Sequence, residues 1–362
     1  MTERWPQWLR INENLKELTP YGAPQIDLPH RMNTNENPYS LNETVQKSIS
    51  ESIMGYLANL NRYPDRDANQ LRGALASFIN QRSKTNFGIE NIWAANGSNE
   101  ILQSIALAFK GDALGFEPSY SMHPLIARAV GKRWISVSRD AQFNIDVDSA
   151  IAAIESARPG IIFITTPNNP TGGSTNVEDI SRIATVARET SAILVVDEAY
   201  AEFSSQPSAV TLINEHPNLI VSRTMSKAFA FAGARLGYLI AQPVIVEAML
   251  LIRLPYHLSA LTQAASLAAL SNEVTLLSDV EKISQSRNQL AQELQSIGLT
   301  VLPSDANFLL VGGFKESPQE IWKALVADGV LIRDVGIPGY LRVTVGTDHD
   351  NRALMSALKK RS

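Results

Sequence analysis

The segment Ile161-Ile162-Phe163-Ile164-Thr165, followed by Pro167-Asn168-Asn169-Pro170-Thr171-Gly172, decides the fold class of this 362-residue chain. Its apolar run does not alternate with polar residues, as it would in a strand with one face in solvent. The turn residues that follow end the strand sharply. A short, continuously apolar strand is typical of a parallel sheet that helices cover on both faces. The segment therefore predicts an α/β protein with three layers.

Other short apolar or β-branched runs surround this strand, and helical patterns separate most of them. They lie at residues 92–95, 113–116, 134–137, 193–196 and 219–221. Upstream, apolar residues at helical spacing predict two helices between Leu41 and Arg82, joined by a loop. We therefore predict a large domain over residues 41–265, built on a mainly parallel sheet.

Two regions flank this predicted domain. Residues 1–40 contain five prolines, which cannot donate backbone hydrogen bonds, so we expect an extended arm that joins the small domain. Residues 266–362 are helical through Leu294 and then show strands at 308–311, 330–332 and 341–345. Ser317, Pro318 and Glu320 form the start signal of a further helix over 318–327. We predict a smaller α+β domain here.

The composition excludes several classes of function. Lys and Arg total 32 against 36 Asp and Glu, so no basic field attracts nucleic acid. The chain has no cysteine, which excludes disulfides, thiolate metal sites and thiol nucleophiles. No run of about 18 apolar residues occurs, and residues 1–10 lack the pattern of a secretion signal. We expect a cytoplasmic protein that binds neither nucleic acid nor a membrane.

Polar residues follow four of the predicted strands directly. Ligands of open parallel sheets bind at the carboxyl ends of the strands, so these residues are the candidates for a site. They are Ser98 and Asn99 after the strand at 92–95, Asn169 after 161–165, Asp197 and Tyr200 after 193–196, and Thr224, Ser226, Lys227 and Arg235 after 219–221. Ser98 and Asn99 also begin an amphipathic helix, whose first N–H groups can bind a phosphate.

Each candidate alone has an ordinary structural explanation. Lys227 fits a solvated surface lysine, Asp197 a cap or turn residue, and Ser98 a helix cap. Their occurrence in order at successive strand ends favours a common site instead. Pyridoxal 5'-phosphate (PLP) needs this combination of amine, carboxylate, donors and phosphate cradle. At an effective dielectric of about 20, an ion pair about 4 Å apart contributes about 4 kcal/mol, enough for Asp197 to keep the ring nitrogen protonated.

The chain resembles the class I/II, fold-type I aminotransferases, which depend on PLP, and among them the bacterial histidinol-phosphate aminotransferases. The resemblance covers nearly the whole chain, and its motifs are specific only in combination. They are Asn35-Glu36-Asn37-Pro38, Asn61-Arg62-Tyr63-Pro64, Gly97-Ser98-Asn99-Glu100, Pro118-Ser119-Tyr120, Asn168-Asn169-Pro170-Thr171-Gly172, Val196-Asp197-Glu198-Ala199-Tyr200, Thr224-Met225-Ser226-Lys227-Ala228-Phe229 and Leu341-Arg342-Val343-Thr344-Val345-Gly346.

The resemblance implies a role for each candidate. Lys227 would bind the cofactor aldehyde as an imine, and Asp197 would pair with the ring nitrogen. The remaining implied cofactor contacts are Asn169 and Tyr200 at the ring oxygen, Tyr120 stacked on the ring, and Ser98, Asn99, Thr224, Ser226 and Arg235 at the phosphate. Tyr63 would reach that phosphate from the neighbouring subunit of a homodimer.

The resemblance also implies the substrates. The expected reaction is ping-pong transfer of an amino group between L-histidinol phosphate and 2-oxoglutarate, in histidine biosynthesis. Arg342 would clamp the anions of both substrates, a phosphate monoester in one and carboxylates in the other. Tyr21, Asn37 and Tyr256 are the other implied substrate contacts, although packing at a domain junction explains Tyr256 equally well.

Other classes of function fit parts of the sequence. The segment 195–198 resembles the magnesium-binding strand of a nucleotide hydrolase, but no Gly-x4-Gly-Lys-Ser/Thr precedes it, and no Gly-x-Gly-x-x-Gly indicates a dinucleotide. The five histidines show no metal-ligand spacing. An aromatic amino acid aminotransferase stays open as an alternative. So does a lyase or decarboxylase on the same scaffold, because the motifs do not separate these activities.

Overall fold

The computed structural model describes residues 5–6 and 8–361, so residues 1–4 and 7 of the predicted arm lie outside it. The strands are β1 (His30–Arg31), β2 (Ile92–Ala95), β3 (Ala113–Glu117), β4 (Trp134–Ser138), β5 (Ile161–Thr165), β6 (Ile193–Asp197), β7 (Leu219–Thr224), β8 (Gly237–Ile240), β9 (Thr300–Val301), β10 (Phe308–Gly312), β11 (Val330–Leu331) and β12 (Tyr340–Thr344). All the strands predicted above are present, and their ends differ from the predicted ones by at most three residues.

The helices begin where side chains can satisfy their first N–H groups. They are α1 (Glu43–Leu57), α2 (Asn69–Ser83), α3 (Ser98–Ala108), α4 (Met122–Ala129), α5 (Val147–Ala157), α6 (Val177–Glu189), α7 (Pro243–Ile252), α8 (Ala260–Ser271), α9 (Glu273–Ser296), α10 (Pro318–Ala327) and α11 (Asp348–Lys359). Asn42, Asp146, Asn176 and Ser259 each accept a hydrogen bond from the third residue of their helix. The predicted capping box of α10 is confirmed. No helix in the described part of the chain could cross a membrane.

A seven-stranded sheet, in the order β2-β8-β7-β6-β5-β3-β4, forms the centre of the large domain. Strands β3 to β7 run parallel, and β8 runs antiparallel to both β2 and β7. The sequence analysis did not predict β8. Its first residue, Gly237, reads as a strand breaker, but a Cβ there would collide with the backbone of Ser98, so tertiary packing requires this glycine.

Successive residues of the central strands point into different hydrophobic clusters. Ile162, Ile164 and Val196 belong to one cluster, whereas Phe163 and Val195 belong to the other. Helices α2, α5 and α6 contribute buried residues to the first cluster, and α3, α4 and α7 to the second. Helices therefore cover both faces of the sheet, and the prediction of a three-layer α/β fold is confirmed.

A smaller antiparallel sheet, in the order β12-β10-β9, packs with α10 and α11 around a third cluster. The arm joins this part of the molecule, because β1 pairs in parallel with β11 and Met32 lies in its core. Helix α9 runs from one core to the other: Leu276 and Ile283 pack in the large core, and Leu290 and Leu294 in the small one. The boundary at residue 265 stays a prediction.

Candidate active site

A cavity of about 380 Å³ opens at the carboxyl ends of the central strands. It lies beside the arm and β12, and side chains from the large sheet, the arm and the small sheet line it. The predicted site residues among them are Tyr21, Ser98, Asn99, Tyr120, Asn169, Asp197, Tyr200, Thr224, Ser226, Lys227, Arg235 and Arg342. Residues from positions 21 to 342 of the chain thus meet in one place.

One corner of the cavity is built to hold an anion. Helix α3 begins at Ser98, and Gly97 before it provides no side-chain cap, so the first N–H groups of the helix are left for another acceptor. Gly97 has a φ of +80°, and a Cβ there would lie 2.5 Å from a guanidinium nitrogen of Arg235. Arg235 also contacts the Ser226 hydroxyl, which accepts a hydrogen bond from Thr224. Two hydroxyls and a guanidinium therefore face the same N–H groups.

Asp197 lies at the end of β6, almost completely buried. His123 Nε2 lies 3.2 Å from its Oδ2, and the His123 ring stacks on Phe163 at 4.7 Å. The second carboxylate oxygen, Oδ1, is buried and has no hydrogen-bond partner among the described residues. Because an unpaired buried carboxylate oxygen is costly, the geometry favours a ligand that donates a hydrogen bond there.

The turn after β5 directs Asn169 into the cavity. Asn168 fixes this turn by donating to the Pro118 carbonyl and to the Thr171 hydroxyl. Asn169 accepts a hydrogen bond of 2.6 Å from Arg342, which leaves its Nδ2 to face the Tyr200 hydroxyl at 3.5 Å. Burial raises the pKa of Tyr200, so its hydroxyl keeps its proton.

The amine of Lys227 lies at the bottom of the cavity, where it donates to the Thr34 carbonyl at 2.9 Å. Burial, together with the positive charges of Arg342 and Arg235, lowers the pKa of this amine to about 8, against the opposing effect of Glu36. A neutral amine is a nucleophile and a proton acceptor, whereas a protonated one is neither. The site therefore favours the reactive form of Lys227.

The backbones of Arg342 and Arg333 pair in an antiparallel bridge, and both arginines line an adjoining cavity with Tyr21 and Asn169, which we call the mouth. Arg342 is buried, donates to the Asn33 carbonyl, and keeps Nε unpaired among the described residues. Burial and the charge of Arg333 lower the pKa of Arg342. Arg333 lies 5.8 Å from the Tyr21 ring. Two cations this close repel each other unless an anion binds between them, so this mouth suits anionic substrates.

Three predicted site residues are not at the cavity. Asn37 uses its amide locally, donating to the Ala228 carbonyl and accepting from the Tyr39 N–H, so no free group is directed at a substrate. Tyr63 and Tyr256 stack on each other at 4.2 Å, away from the cavity lining. Tyr63 is 78% exposed.

The sequence analysis missed three residues at the site, although two of them left a signal. His123 comes one helical turn before Ile126 and Ala127, so the apolar spacing predicts that it lies on the buried face of α4. A buried imidazole needs a hydrogen-bond partner. Arg333 directly follows the strand run at 330–332, where the strand-end rule applies. Asn35 was noted only within a motif, and nothing local indicated its contacts with Tyr200 and Thr344.

PLP fits this arrangement of groups. The unpaired Asp197 oxygen matches a protonated ring nitrogen, and the N–H groups of α3 with Arg235 match a phosphate. Asn169 and Tyr200 line the cavity with N–H and O–H groups that suit the ring oxygen, and Lys227 supplies the amine. Among the described residues, no cluster of His, Asp or Glu could hold a metal ion.

Comparison with known proteins gives a consistent result. Residues 30–358 match the model of the family described as aminotransferase class I and II. The chain is 51% identical to a histidinol-phosphate aminotransferase of Mycobacterium sp. (strain JLS), over 96% of this chain and 93% of that protein. It is 50% identical to a histidinol-phosphate aminotransferase of Nocardia farcinica, over 95% of this chain and 89% of that protein.

A solved structure shares the fold over the whole length. It is a histidinol-phosphate aminotransferase from Sinorhizobium meliloti in complex with pyridoxal-5'-phosphate, which is 24% identical and superposes with a TM-score of 0.86 over 97% of each chain. The predicted family, fold class and cofactor are confirmed. The extent of the family match and the identity to these relatives show that this chain belongs to the class I and II aminotransferases, a family that uses PLP.

Proposed function

We propose that this chain transfers an amino group between L-histidinol phosphate and 2-oxoglutarate, with PLP as its cofactor, in histidine biosynthesis. Relatives that are about half identical over nearly the whole chain carry this activity in their names. The observation that carries the proposal is a single cavity that joins the amine of Lys227, the half-paired carboxylate of Asp197 and the guanidinium of Arg342.

Different residues of this chain have different roles in such a reaction. Bound PLP supplies an electron-withdrawing ring that stabilises negative charge on the substrate carbon next to the nitrogen. Asp197 would keep the ring nitrogen protonated through its free Oδ1, and His123 orients Asp197 through Oδ2. With its lowered pKa, Lys227 Nζ would accept a proton from that carbon and deliver it to the cofactor carbon on the other side of the same nitrogen. Arg235, Ser226 and the start of α3 would hold the phosphate of the cofactor.

Substrate binding depends on the cations at the mouth. Arg342 binds either a phosphate monoester or a carboxylate in the bidentate manner of guanidinium groups, and Arg333 adds a second charge beside it. Tyr21, in the arm, lines the cavity and lies beside Arg333. One set of cations therefore serves both half-reactions, although the two substrates carry different anions.

A comparison of kcat/KM values tests this proposal. The purified enzyme, loaded with PLP and supplied with 2-oxoglutarate, is assayed with L-histidinol phosphate, phenylalanine and tyrosine. We expect histidinol phosphate to be preferred by at least tenfold, because its phosphate carries more charge toward the two arginines than a carboxylate does. A preference for the aromatic amino acids would favour the alternative activity and would leave the cofactor assignment untouched.

We also propose that the enzyme is a homodimer in which Tyr63 completes the site of the neighbouring subunit. Tyr63 is highly exposed, does not line the cavity of its own chain, and stacks on Tyr256. Leu60, Leu251 and Leu254 are also exposed, so apolar surface is left for a partner to cover.

Mixed dimers test this arrangement. A Lys227→Ala subunit is combined with a Tyr63→Ala subunit, and the heterodimer is isolated with two affinity tags. If Tyr63 acts across the interface, the site with the intact Lys227 receives an intact Tyr63, and about half of the wild-type activity per dimer returns. A heterodimer no more active than the Tyr63→Ala homodimer would contradict the proposal.

The cytoplasmic location is likewise proposed, and cell fractionation tests it.

A further inference from the structure

Asn35, which has no role in the proposed reaction so far, is buried, has a positive φ and is fully hydrogen-bonded. It follows β1 in the arm, is buried, and adopts a φ of +55°, a left-handed conformation that Asn tolerates better than most residues. All of its polar groups are hydrogen-bonded. Its N–H donates to the Thr344 hydroxyl at 3.0 Å, and its carbonyl accepts from Asn307 at 3.1 Å. Its Oδ1 accepts from the Thr344 hydroxyl at 2.9 Å, and its Nδ2 donates to the Tyr200 hydroxyl, also at 2.9 Å.

The contacts of Asn35 determine which end of its amide faces Tyr200. The Thr344 oxygen already accepts from the Asn35 N–H, and its own proton needs an acceptor, which Oδ1 provides. The reverse orientation would leave that buried hydroxyl proton unpaired. Asn169 is oriented in the same way, because Arg342 can only donate and must therefore face Oδ1 of Asn169.

Tyr200 consequently receives two amide N–H groups on its oxygen. A tyrosine hydroxyl has one proton to donate, and its oxygen accepts from Asn35 at 2.9 Å and from Asn169 at 3.5 Å. Within the described part of the chain, the Tyr200 hydroxyl donates to no acceptor. Its proton is therefore available to a ligand in the cavity that Tyr200 lines.

We propose that Asn35 is a positioning residue that keeps the Tyr200 hydroxyl a hydrogen-bond donor toward the cavity, where the ring oxygen of the cofactor accepts it. This inference rests on the proposed function, since it takes PLP as the ligand. Asn35 lines the cavity, but all of its polar groups are bonded within the protein, so it acts through Tyr200. The raised pKa of Tyr200 agrees with this role, because the hydroxyl remains protonated at every working pH.

The proposal has a spectroscopic consequence. A donor at the ring oxygen stabilises negative charge there, so the visible absorbance of the bound cofactor changes with pH at a lower midpoint than it would without that donor. Loss of one hydrogen bond of ordinary strength moves such a midpoint upward by about 0.5 to 1 pH unit. Cofactor affinity falls by roughly three- to tenfold for the same reason.

The experiment compares Asn35→Gly, Tyr200→Phe and the double variant with the wild-type holoenzyme. Glycine adopts the backbone conformation of residue 35 without strain, so the substitution removes the side chain and little else. We expect Asn35→Gly to raise the midpoint by 0.5 to 1 pH unit, Tyr200→Phe to raise it at least as much, and the double variant to match Tyr200→Phe. A double variant with the same midpoint as Tyr200→Phe indicates that Asn35 acts through Tyr200.

Two further variants keep the inference testable if Asn35→Gly does not fold. Asn35→Asp places an acceptor against Tyr200 and draws its proton away from the cavity, so we expect a midpoint at least as high as that of Asn35→Gly. Thr344→Val removes the hydroxyl that orients the Asn35 amide, and we expect a smaller upward shift.

The outcomes are distinct. A wild-type midpoint in Asn35→Gly or Asn35→Asp, or additive shifts in the double variant, would overturn the role of Asn35. A wild-type protein that binds PLP without any change of absorbance with pH, or does not bind it, would instead contradict the proposed function. Thermal unfolding of each cofactor-free variant separates these effects from general destabilisation, which would lower the Tm without moving the midpoint.

Discussion

Replacement of Lys227 by methionine should change how the stability of the cofactor-free protein depends on pH. The pKa of Lys227 is about 8 in the folded protein, against 10.5 for an ordinary lysine. Between these values the unfolded chain binds more protons than the folded one, so stability rises with pH. Protonated Lys227 thus costs the folded protein up to about 3 kcal/mol at pH 7, and the cost disappears as the pH rises toward 10.5.

The magnitude of the change follows from these two pKa values. Between pH 7 and pH 10, the wild-type protein gains about 2.5 kcal/mol from this group at most. Lys227 is only half-buried and faces the cavity, where water screens its charge, so we expect about 1 to 2 kcal/mol. The Lys227→Met variant lacks this gain. It also loses the hydrogen bond to the Thr34 carbonyl, but that loss lowers stability equally at both pH values.

Urea denaturation of both proteins without cofactor, at pH 7, 8.5 and 10, measures the effect. The free energy of unfolding should rise with pH more steeply for the wild type than for Lys227→Met. A Lys47→Met variant, which changes an exposed lysine on α1, serves as the matched control and should follow the wild type. Parallel curves for wild type and Lys227→Met would refute the reasoning, because they would mean that burial and the nearby arginines do not perturb this amine.

Three arginines allow further predictions. Arg235→Ala should raise the Kd for PLP by roughly 10- to 150-fold, since a charged hydrogen bond contributes about 1.5 to 3 kcal/mol, and a fluorescence titration measures this. Arg342→Lys should raise the KM of both substrates by about tenfold or more through loss of bidentate binding, with a much smaller change in PLP affinity. Arg223→Met should lower the free energy of unfolding in urea by about 3 to 5 kcal/mol, because it leaves Glu198 and Glu202 buried without a counter-charge.

Matched variants control these three predictions. Arg235→Lys keeps the charge, so it should bind PLP more tightly than Arg235→Ala. Unchanged PLP affinity in Arg235→Ala would remove this residue from the phosphate corner, and an unchanged KM in Arg342→Lys would remove Arg342 from substrate binding. Adding Glu198→Gln and Glu202→Gln to Arg223→Met should restore much of the stability. If it does not, the loss comes from packing around Arg223 rather than from the unpaired charges.

The sequence predicted the central sheet well because its signals are local. Continuous apolar runs, helix caps and turns each depend on about ten neighbouring residues or fewer. The predicted runs at 92–95 and 161–165 have the same bounds as their strands. The strand-end rule then brought Ser98, Asn169, Asp197 and Lys227 to one edge of the sheet, where the structure has them. Local chemistry and a parallel topology were sufficient for this half of the site.

The other half depends on contacts between residues that are far apart in the sequence. Asn35 bonds Thr344 across 309 positions, and Arg342 bonds Asn33 across 309 positions and Asn169 across 173. No pattern within either segment predicts its partner, because each of these polar residues could equally face solvent. The same limit explains Asn37, whose amide turned out to bond the Ala228 carbonyl. Only the folded arrangement of the arm, the small sheet and the large sheet distinguishes these cases.

The charges around the cavity explain why anionic ligands belong there. Lys227, Arg235 and Arg342 line it, and among the described residues that line it Asp197 and Glu36 are the only acidic ones. Arg333 adds a further cation at the mouth, so positive charge is in excess. Burial is the main cause of the lowered pKa of Lys227 and of Arg342, and this excess adds to it, through Arg342 and Arg235 at Lys227 and through Arg333 at Arg342. A phosphate bound beside Arg235 should relieve part of it and raise the pKa of the Lys227 amine. Titration of the cofactor-free protein with inorganic phosphate, followed by amine reactivity, should therefore show slower modification of Lys227 as phosphate binds.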